Sequence, residues 1–393
     1  MNAHANVWQR MVARSSFAWD YSERPAAKAA RIVLDTRLRR LTSAVSTPRD
    51  SGPSLGYAGI PDGVTKILQM LERQRERMGS GAADLDRAAV TAADVFRRHE
   101  LPRADLVAVV GTRSQLTALP RRASLVLPYR LHAVVDSSVG WQARMSKGER
   151  QWCKTQCTRR GLRMTTVTDD AAFDFFYDRM HVPTMRSRHG ARARSENRIR
   201  AYECLFKRGH LLLVMQDDSP VAGALATVSG DDTTLTPRLG GLLDGSAELH
   251  ESGLLRLMSY LIVDWAERNT ISTVDFSGLE AWIANGLYGY KRRLAPRLER
   301  PADYRGQLEV WWHARRDTPQ VRDFLVRNPV LEEAGGGRLR AVYFHDAQRP
   351  VRDDIPHTCL NVDDRRSIHL DDFLAGVPTG RPSSAMPAPA GEN

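Results

Sequence analysis

The densest run of residues able to do chemistry lies between positions 274 and 293. It reads Val274-Asp275-Phe276-Ser277-Gly278-Leu279, then Asn285-Gly286-Leu287-Tyr288-Gly289-Tyr290-Lys291-Arg292-Arg293. An apolar run ends in a carboxylate, a hydroxyl and a glycine, and two phenols and a lysine follow. Such groups accept a proton, donate one, or hold developing negative charge. Asp275 stands at the expected carboxyl end of a strand, where open α/β sheets place their ligands. Other chemistries lack their signatures. No G-x-x-x-x-G-K-[ST] or well-placed G-x-G-x-x-G marks a nucleotide loop. No H-E-x-x-H or Cys/His cluster marks zinc, and no G-x-S-x-G marks a nucleophile elbow. Hydrolase and metalloenzyme readings recede, and no metal is expected.

Charge is the second chemical feature. The chain carries 57 Lys+Arg against 46 Asp+Glu, a net +11, with a pI near 9.8. Sixteen Lys/Arg but only seven Asp/Glu fall between Arg144 and Arg208, so most of the excess sits in one sixth of the chain. Most of these bases are arginine, whose guanidinium forks onto phosphate or carboxylate. Solvated helix faces are the plainer reading of the same strip. At 393 residues, 42% hydrophobic and 26% charged, the chain has material for two or three folded domains. Four cysteines (Cys153, Cys157, Cys204, Cys359) are too few for a disulfide framework; Cys153 and Cys157 read as half-buried thiols on one helix. The first thirty residues contain no secretory apolar core, and no stretch approaches the ~18 apolar residues of a membrane span. A cytoplasmic location is expected.

The elements that must position these residues follow from periodicity. Residues 1–62 read as a basic, poorly ordered segment without a core. Val64–Arg77 and Ala89–Arg98 read as helices, Asp105–Gly111 as a buried strand, and Ser124–Val135 as one or two more strands. A long helix from Trp141 ends at Gly161 in the C′ position. Asp169 and Asp170 cap a helix with the apolar stripe Phe173, Phe176, Tyr177, Met180 and Thr184, and Ser195 can cap the next. His210–Gln216 and Val221–Ser229 form a hairpin about Asp217-Asp218-Ser219-Pro220, followed by a strand over Thr233–Leu242. Glu251–Glu267 is a helix with Leu254, Met258, Leu261 and Trp265 on one face. Ile271–Phe276 is a strand, Leu279–Tyr290 a helix and Gln307–Ala314 a strand. This order predicts an α/β (α+β) fold with a mixed central sheet.

At this point the sequence resembles the GNAT superfamily of N-acyltransferases. Within it, the likeness is to the branch of BioF-type acetyltransferases and Fem-type (FemAB-like) transferases. Asp275-Phe276-Ser277-Gly278 and Tyr290-Lys291-Arg292-Arg293-Leu294 match that branch's strand-end turn and its helix ending in Tyr/Phe-Lys-x-x-Phe. Ser146-Lys147-Gly148-Glu149-Arg150, Phe176-Tyr177 with Thr184 to Gly190, and Ser219-Pro220-Val221-Ala222-Gly223 agree in the right order. The resemblance is good from about Trp141 to Arg293. One departure stands out: the pyrophosphate loop Arg/Gln-x-x-Gly-x-Gly/Ala is missing, and His250-Glu251-Ser252-Gly253 opens the helix instead.

The resemblance implies tandem GNAT-like half-domains: a degenerate first half over 63–140 and an acyltransferase domain over 141–350; an extension over 351–376 follows, and the Pro-, Ser-, Ala- and Gly-rich residues 377–393 read as a disordered tail. It implies transfer of an acyl group from acyl-coenzyme A to an amine of a small-molecule, cell-envelope or secondary-metabolite acceptor. Aminoacyl-tRNA as donor, with its acceptor arm on the Arg144–Arg208 strip, is the Fem-like alternative. A catalytically inactive module binding RNA or an anionic surface is the other. Acyl transfer passes through an oxyanion and releases a leaving group that needs a proton. Lys291 is therefore expected to stabilise charge, or else to be a solvated helix-end lysine. Tyr290 and Tyr288 are expected to protonate the leaving group or to pack. Asp275 can orient substrate, accept the amine proton, or cap the following helix. Arg186, Arg188, Tyr177, Ser277 and Gly278 are the expected substrate contacts. Ser252 and Gly253 are the expected coenzyme A contacts through backbone N–H groups. His181 and His189 are alternative bases.

Overall fold

The computed structural model describes residues 6–35, 40–190, 195–362 and 364–379, so positions 380–393 of the expected tail lie outside it. The chain divides into two compact units, neither of them continuous. The first comprises Met1–Ser22, His132–Gly278 and Tyr290–Glu299; the second comprises Glu23–Leu131, Leu279–Gly289 and Arg300–Asn393. The expected boundaries at 62, 140 and 350 do not coincide with this division.

In the second unit a six-stranded sheet has the order β3-β1-β2-β4-β13-β5. Its members are β1 (Arg40–Pro48), β2 (Leu55–Gly59), β3 (Ala83–Thr91), β4 (Leu106–Thr112), β5 (Ser124–Pro128) and β13 (Leu308–Ala314). β2 and β4 run parallel; the other pairings for which the register is defined, β1 with β2 and β3 and β13 with β4 and β5, are antiparallel. The segment before residue 62, expected to lie outside any core, supplies helices α1 (Val7–Tyr21) and α2 (Pro25–Leu34) as well as β1 and β2. Leu55, Tyr57 and Ala58 are fully buried. The apolar residues there are too few per element to show periodicity, and Arg75 supplies what the pattern lacks. Buried on helix α3 (64–76), it donates to the Ser46 and Pro53 carbonyls at 2.9 and 3.1 Å and closes the polar β1–β2 connection. Ala89–Thr91, expected to be helical, is the end of β3, and the helix there covers only Ala92–Phe96. Leu308–Ala314 enters this sheet and not the one built from the strands after His210, to which its place in the chain assigned it.

The first unit is built on a seven-stranded sheet, β12-β6-β11-β10-β9-β8-β7. Its strands are β6 (Leu131–Asp136), β7 (Arg163–Val167), β8 (Gly209–Gln216), β9 (Ser219–Val228), β10 (Thr234–Leu242), β11 (Thr273–Leu279) and β12 (Arg297–Glu299). The β8–β9 turn is the expected one, with Asp217 and Asp218 both at positive φ (47° and 63°), as a two-residue hairpin turn requires. One face of the sheet packs on α4 (Lys147–Arg159) and α7 (Leu254–Arg268) through Cys153, Leu254, Met258, Leu261 and Trp265. The other face packs on α5 (170–189) and α6 (198–206) through Phe173, Phe176, Tyr177, Met180 and Phe206. Gly161 ends α4 at φ 58° as expected. Two helix starts differ. α4 begins only after Ser146, whose hydroxyl accepts from Glu149 N–H. α6 is capped by Asn197, which accepts from Ile199 and Arg200, and not by Ser195. The second unit also holds a three-stranded sheet of β14 (Val330–Gly335), β15 (Arg338–His345) and β16 (Asp364–His369).

Packing also sets the thiol chemistry. Burial, reinforced by the Glu149 carboxylate, pushes the Cys153 thiol up to about 12. Burial, with Asp264 nearby, pushes Cys157 up to about 11. Thiolate is the reacting form. Iodoacetamide at pH 8 should therefore alkylate these two on the order of 10²–10³-fold more slowly in the native chain than in urea. Peptide mass spectrometry reads the rates, and equal rates would mean the α4 face is open to solvent.

Candidate active site

The site is organised by β10 and β11. These parallel neighbours pair at only two positions, Thr234 with Thr273 and Leu235 with Val274, and β10 then continues alone on that side to Leu242. A bulge between Pro237 and Leu239 in its pairing with β9 re-aims Arg238. Alternation along β11 puts Val274 and Phe276 with the α7-side core, which leaves Asp275 on the opposite face.

There Asp275 Oδ2 lies 2.7 Å from Nδ1 of His132, carried by β6, the neighbouring strand of the sheet. Asp275 Oδ1 accepts the Ser277 N–H at 2.7 Å. The two side chains are 14% and 17% exposed. Burial pushes the Asp275 carboxyl up, but the His132 hydrogen bond and charge, the Ser277 N–H and the Arg238 charge outweigh it and hold the group below its ordinary value. An ionised carboxylate only accepts hydrogen bonds, so the Nδ1 facing Asp275 carries a proton, and Nε2 is the ring nitrogen turned away from that pair. Arg238 also stacks over the Tyr21 ring at 4.7 Å, bringing the end of α1 to the same place.

The sequence-predicted residues divide sharply. Asp275, Ser277, Gly278 and Lys291 come together. Lys291 is 8% exposed, and its ammonium donates to the carbonyls of Phe276, Ser277 and Gly278 at 2.7, 3.1 and 3.1 Å. It pins a turn in which Ser277 adopts φ 59°, a left-handed conformation costly for a residue with a Cβ. The solvated helix-end alternative for Lys291 is thereby excluded, as is a helix cap by Asp275. The expected helix 279–290 shrinks to α8 (Gly286–Lys291), because Ala281 and Ile283 pair in extended conformation with Leu331 and Pro329.

Tyr290 faces α7, where its hydroxyl donates to the Leu255 carbonyl at 2.8 Å and lies 2.5 Å from the Ser259 hydroxyl. Burial raises its phenol, against the Ser259 hydrogen bond and the charges of Arg188 and Arg256. Tyr288 belongs to the second unit and gives its hydroxyl to the His357 carbonyl. Tyr177 is a core residue whose hydroxyl donates to the Glu196 carbonyl at 2.6 Å. Arg186 and Arg188 are exposed on α5. The N–H groups of Ser252 and Gly253 are already taken by the Glu248 and His250 carbonyls, where Gly253 at φ 75° separates a short helix from α7. His181 is buried with Nδ1 3.1 Å from the Gly240 carbonyl. Burial lowers its pKa, against that carbonyl. The His189 side chain lies outside the described residues.

The basic strip is less free than its composition suggests. Arg144, Arg179 and Lys207 meet Asp136, Asp244 and Asp170 at 2.7 Å each. Arg198 meets Asp174 and Asp178 at 2.5 Å, Arg200 meets Asp20 at 2.9 Å, and Arg163 pairs with Asp218. Several of these carboxylates come from outside the strip. Among the described residues no group of His, Cys, Asp and Glu is arranged to hold a metal ion, and no helix is long and apolar enough to cross a membrane.

The parallel neighbours β10 and β11 thus part beside a histidine–carboxylate pair on a mixed sheet. Residues 144–292 match the acetyltransferase (GNAT) domain family. These residues make up a GNAT-type acetyltransferase domain within the chain. No curated protein matches it. Among solved structures it is similar to L-PGS from Bacillus licheniformis (10% identity, 78% of this chain and 97% of that one, TM-score 0.34). It is also similar to FemX (11%, 76% and 95%, 0.37) and to a GCN5-related N-acetyltransferase from Kribbella flavida (14%, 74% and 94%, 0.26).

Proposed function

We propose that the protein is an N-acyltransferase in which His132 is the general base, held by Asp275. The His132–Asp275 pair beside the parting of β10 and β11 carries this reading. Nε2 of His132 takes the proton of the acceptor amine as the nitrogen bonds to the acyl carbon. The carbon–sulfur bond of an acyl thioester then breaks, and the thiolate leaves with the proton that His132 took from the amine; Tyr290, which faces α7 on the other side of the sheet, takes no part in this step. Lys291 acts through the 276–278 turn as a positioning residue. An acyl-coenzyme A donor is preferred to aminoacyl-tRNA because six side chains of the basic strip are occupied by carboxylates, whereas a tRNA arm calls for an open cationic surface.

The test is thiol release from acetyl- and longer acyl-coenzyme A over a panel of amines, in RNase-treated mixtures across a salt series. Free coenzyme A should accumulate with little salt dependence. Transfer that needs charged tRNA, is abolished by RNase and falls steeply with salt would establish the Fem-like alternative. No transfer from either donor would leave the inactive binding module.

A further inference from the structure

One cation beside the His132–Asp275 pair is left unused by the transfer chemistry. Arg238 is the residue skipped in the β9–β10 register, at the bulge between Pro237 and Leu239. Its Nε is buried without a hydrogen-bond partner, and among the described residues no carboxylate forms an ion pair with its guanidinium. The carboxylates at hand are committed elsewhere. Asp275, on which the Arg238 charge acts, meets His132 through Oδ2 and accepts the Ser277 N–H through Oδ1. Asp20 and Glu196 hold Arg200 at 2.9 and 3.6 Å, and Arg200 lies over the same Tyr21 ring at 5.7 Å.

The Tyr21 ring, 4.7 Å from the Arg238 guanidinium carbon, backs the planar group and sets its orientation. A planar fork held in this way matches a carboxylate bidentately. A buried donor without an acceptor is costly, and next to Asp275 a second polar atom, Ser277 Oγ, is also buried without a partner. Arg238, Asp275 and His132 all lie in the first unit and are all partly exposed, so a solute can reach them.

We propose that Arg238 receives a carboxylate of the acceptor, so that the amine acylated beside His132 is that of an amino acid. The inference rests on His132 being the base of an N-acyl transfer. The nitrogen–carbon bond forms, the carbon–sulfur bond breaks, the amine proton passes through His132 to the thiolate, and the carboxylate stays ionised in the product.

Transfer from acetyl- and longer acyl-coenzyme A to a panel of α- to ω-amino acids, each paired with its own carboxamide, tests it on the unaltered protein. At least one acid should exceed its amide by about tenfold or more in kcat/KM, mainly through KM. Arg238→Gln should bring that ratio close to unity; both acceptors meet the same base, so the ratio cancels any effect of the change on Asp275. Calorimetric binding of the same pairs separates the inference from the reading beneath it. An acid that binds more tightly than its amide, loses that advantage in Arg238→Gln and is never acylated would support the carboxylate site and overturn the acyl-transfer reading. Transfer without preference for any acid, or a preference that survives in Arg238→Gln, would overturn the inference and leave that reading standing. Failure of every acid to bind or react in preference to its amide would likewise overturn it.

Discussion

Alanine in place of His132 is expected to cut kcat/KM by about 10²- to 10⁴-fold, the range that a positioned general base contributes, with the fold retained. The side chain is partly exposed on β6, and its one described polar contact is Asp275, so little packing is lost with it. Asp275 is held below its ordinary value, so it stays ionised near neutral pH and acts only as an acceptor toward Nδ1. Asp275→Asn should cost a comparable factor, because an amide can present its NH₂ to Nδ1 and select the wrong tautomer.

The same carboxylate gives a stability signature with a definite sign. A folded-state pKa below the unfolded one stabilises above the unfolded value and loses that contribution as pH falls through the folded value. Asp275→Asn should thus lose part of the acid sensitivity of unfolding below about pH 4. Wild-type kcat/KM in His132→Ala would remove the pair from the chemistry.

Half of this pair was legible in the sequence and half was not, for a physical reason. Asp275 announces itself because a local apolar run ends in a polar turn. His132 is one polar residue in an ordinary alternating strand, and its partner lies 143 positions away. Only the sheet order, which places β6 beside β11, brings them together. Local signals held elsewhere too: the Asp217–Asp218 turn, the Gly161 stop, and the apolar stripes of α5 and α7 are all as expected. What failed depended on tertiary pairing. Gln307–Ala314 is plainly a strand, but its alternation cannot say which sheet receives it. Residues 279–285 have helix-compatible composition, yet backbone pairing with Pro329 and Leu331 keeps them extended. The excess of arginine is equally real, and its neutralisation is invisible until Asp136, Asp218, Asp244 and Asp20 are placed against it.

Methionine in place of Lys291 should lower both turnover and stability, and the coupling of the two is the informative part. The Lys291 ammonium carries three donors, and three consecutive carbonyls of the 276–278 turn receive them. Removing it strands those buried acceptors, at a cost of about 2–4 kcal/mol in unfolding free energy by urea titration. It also releases Ser277 from φ 59°, and with it the N–H that holds Asp275 Oδ1. Displacing an orienting group by even about 1 Å can cost on the order of 10²-fold, so kcat should fall by roughly that factor while KM moves little. A lysine acting directly on the oxyanion would behave differently, with turnover lost and stability intact. Lys291→Arg separates the cases once more: a planar guanidinium cannot aim three donors at one tight turn. Stability should then stay low although the charge is kept, whereas a purely electrostatic role would be rescued.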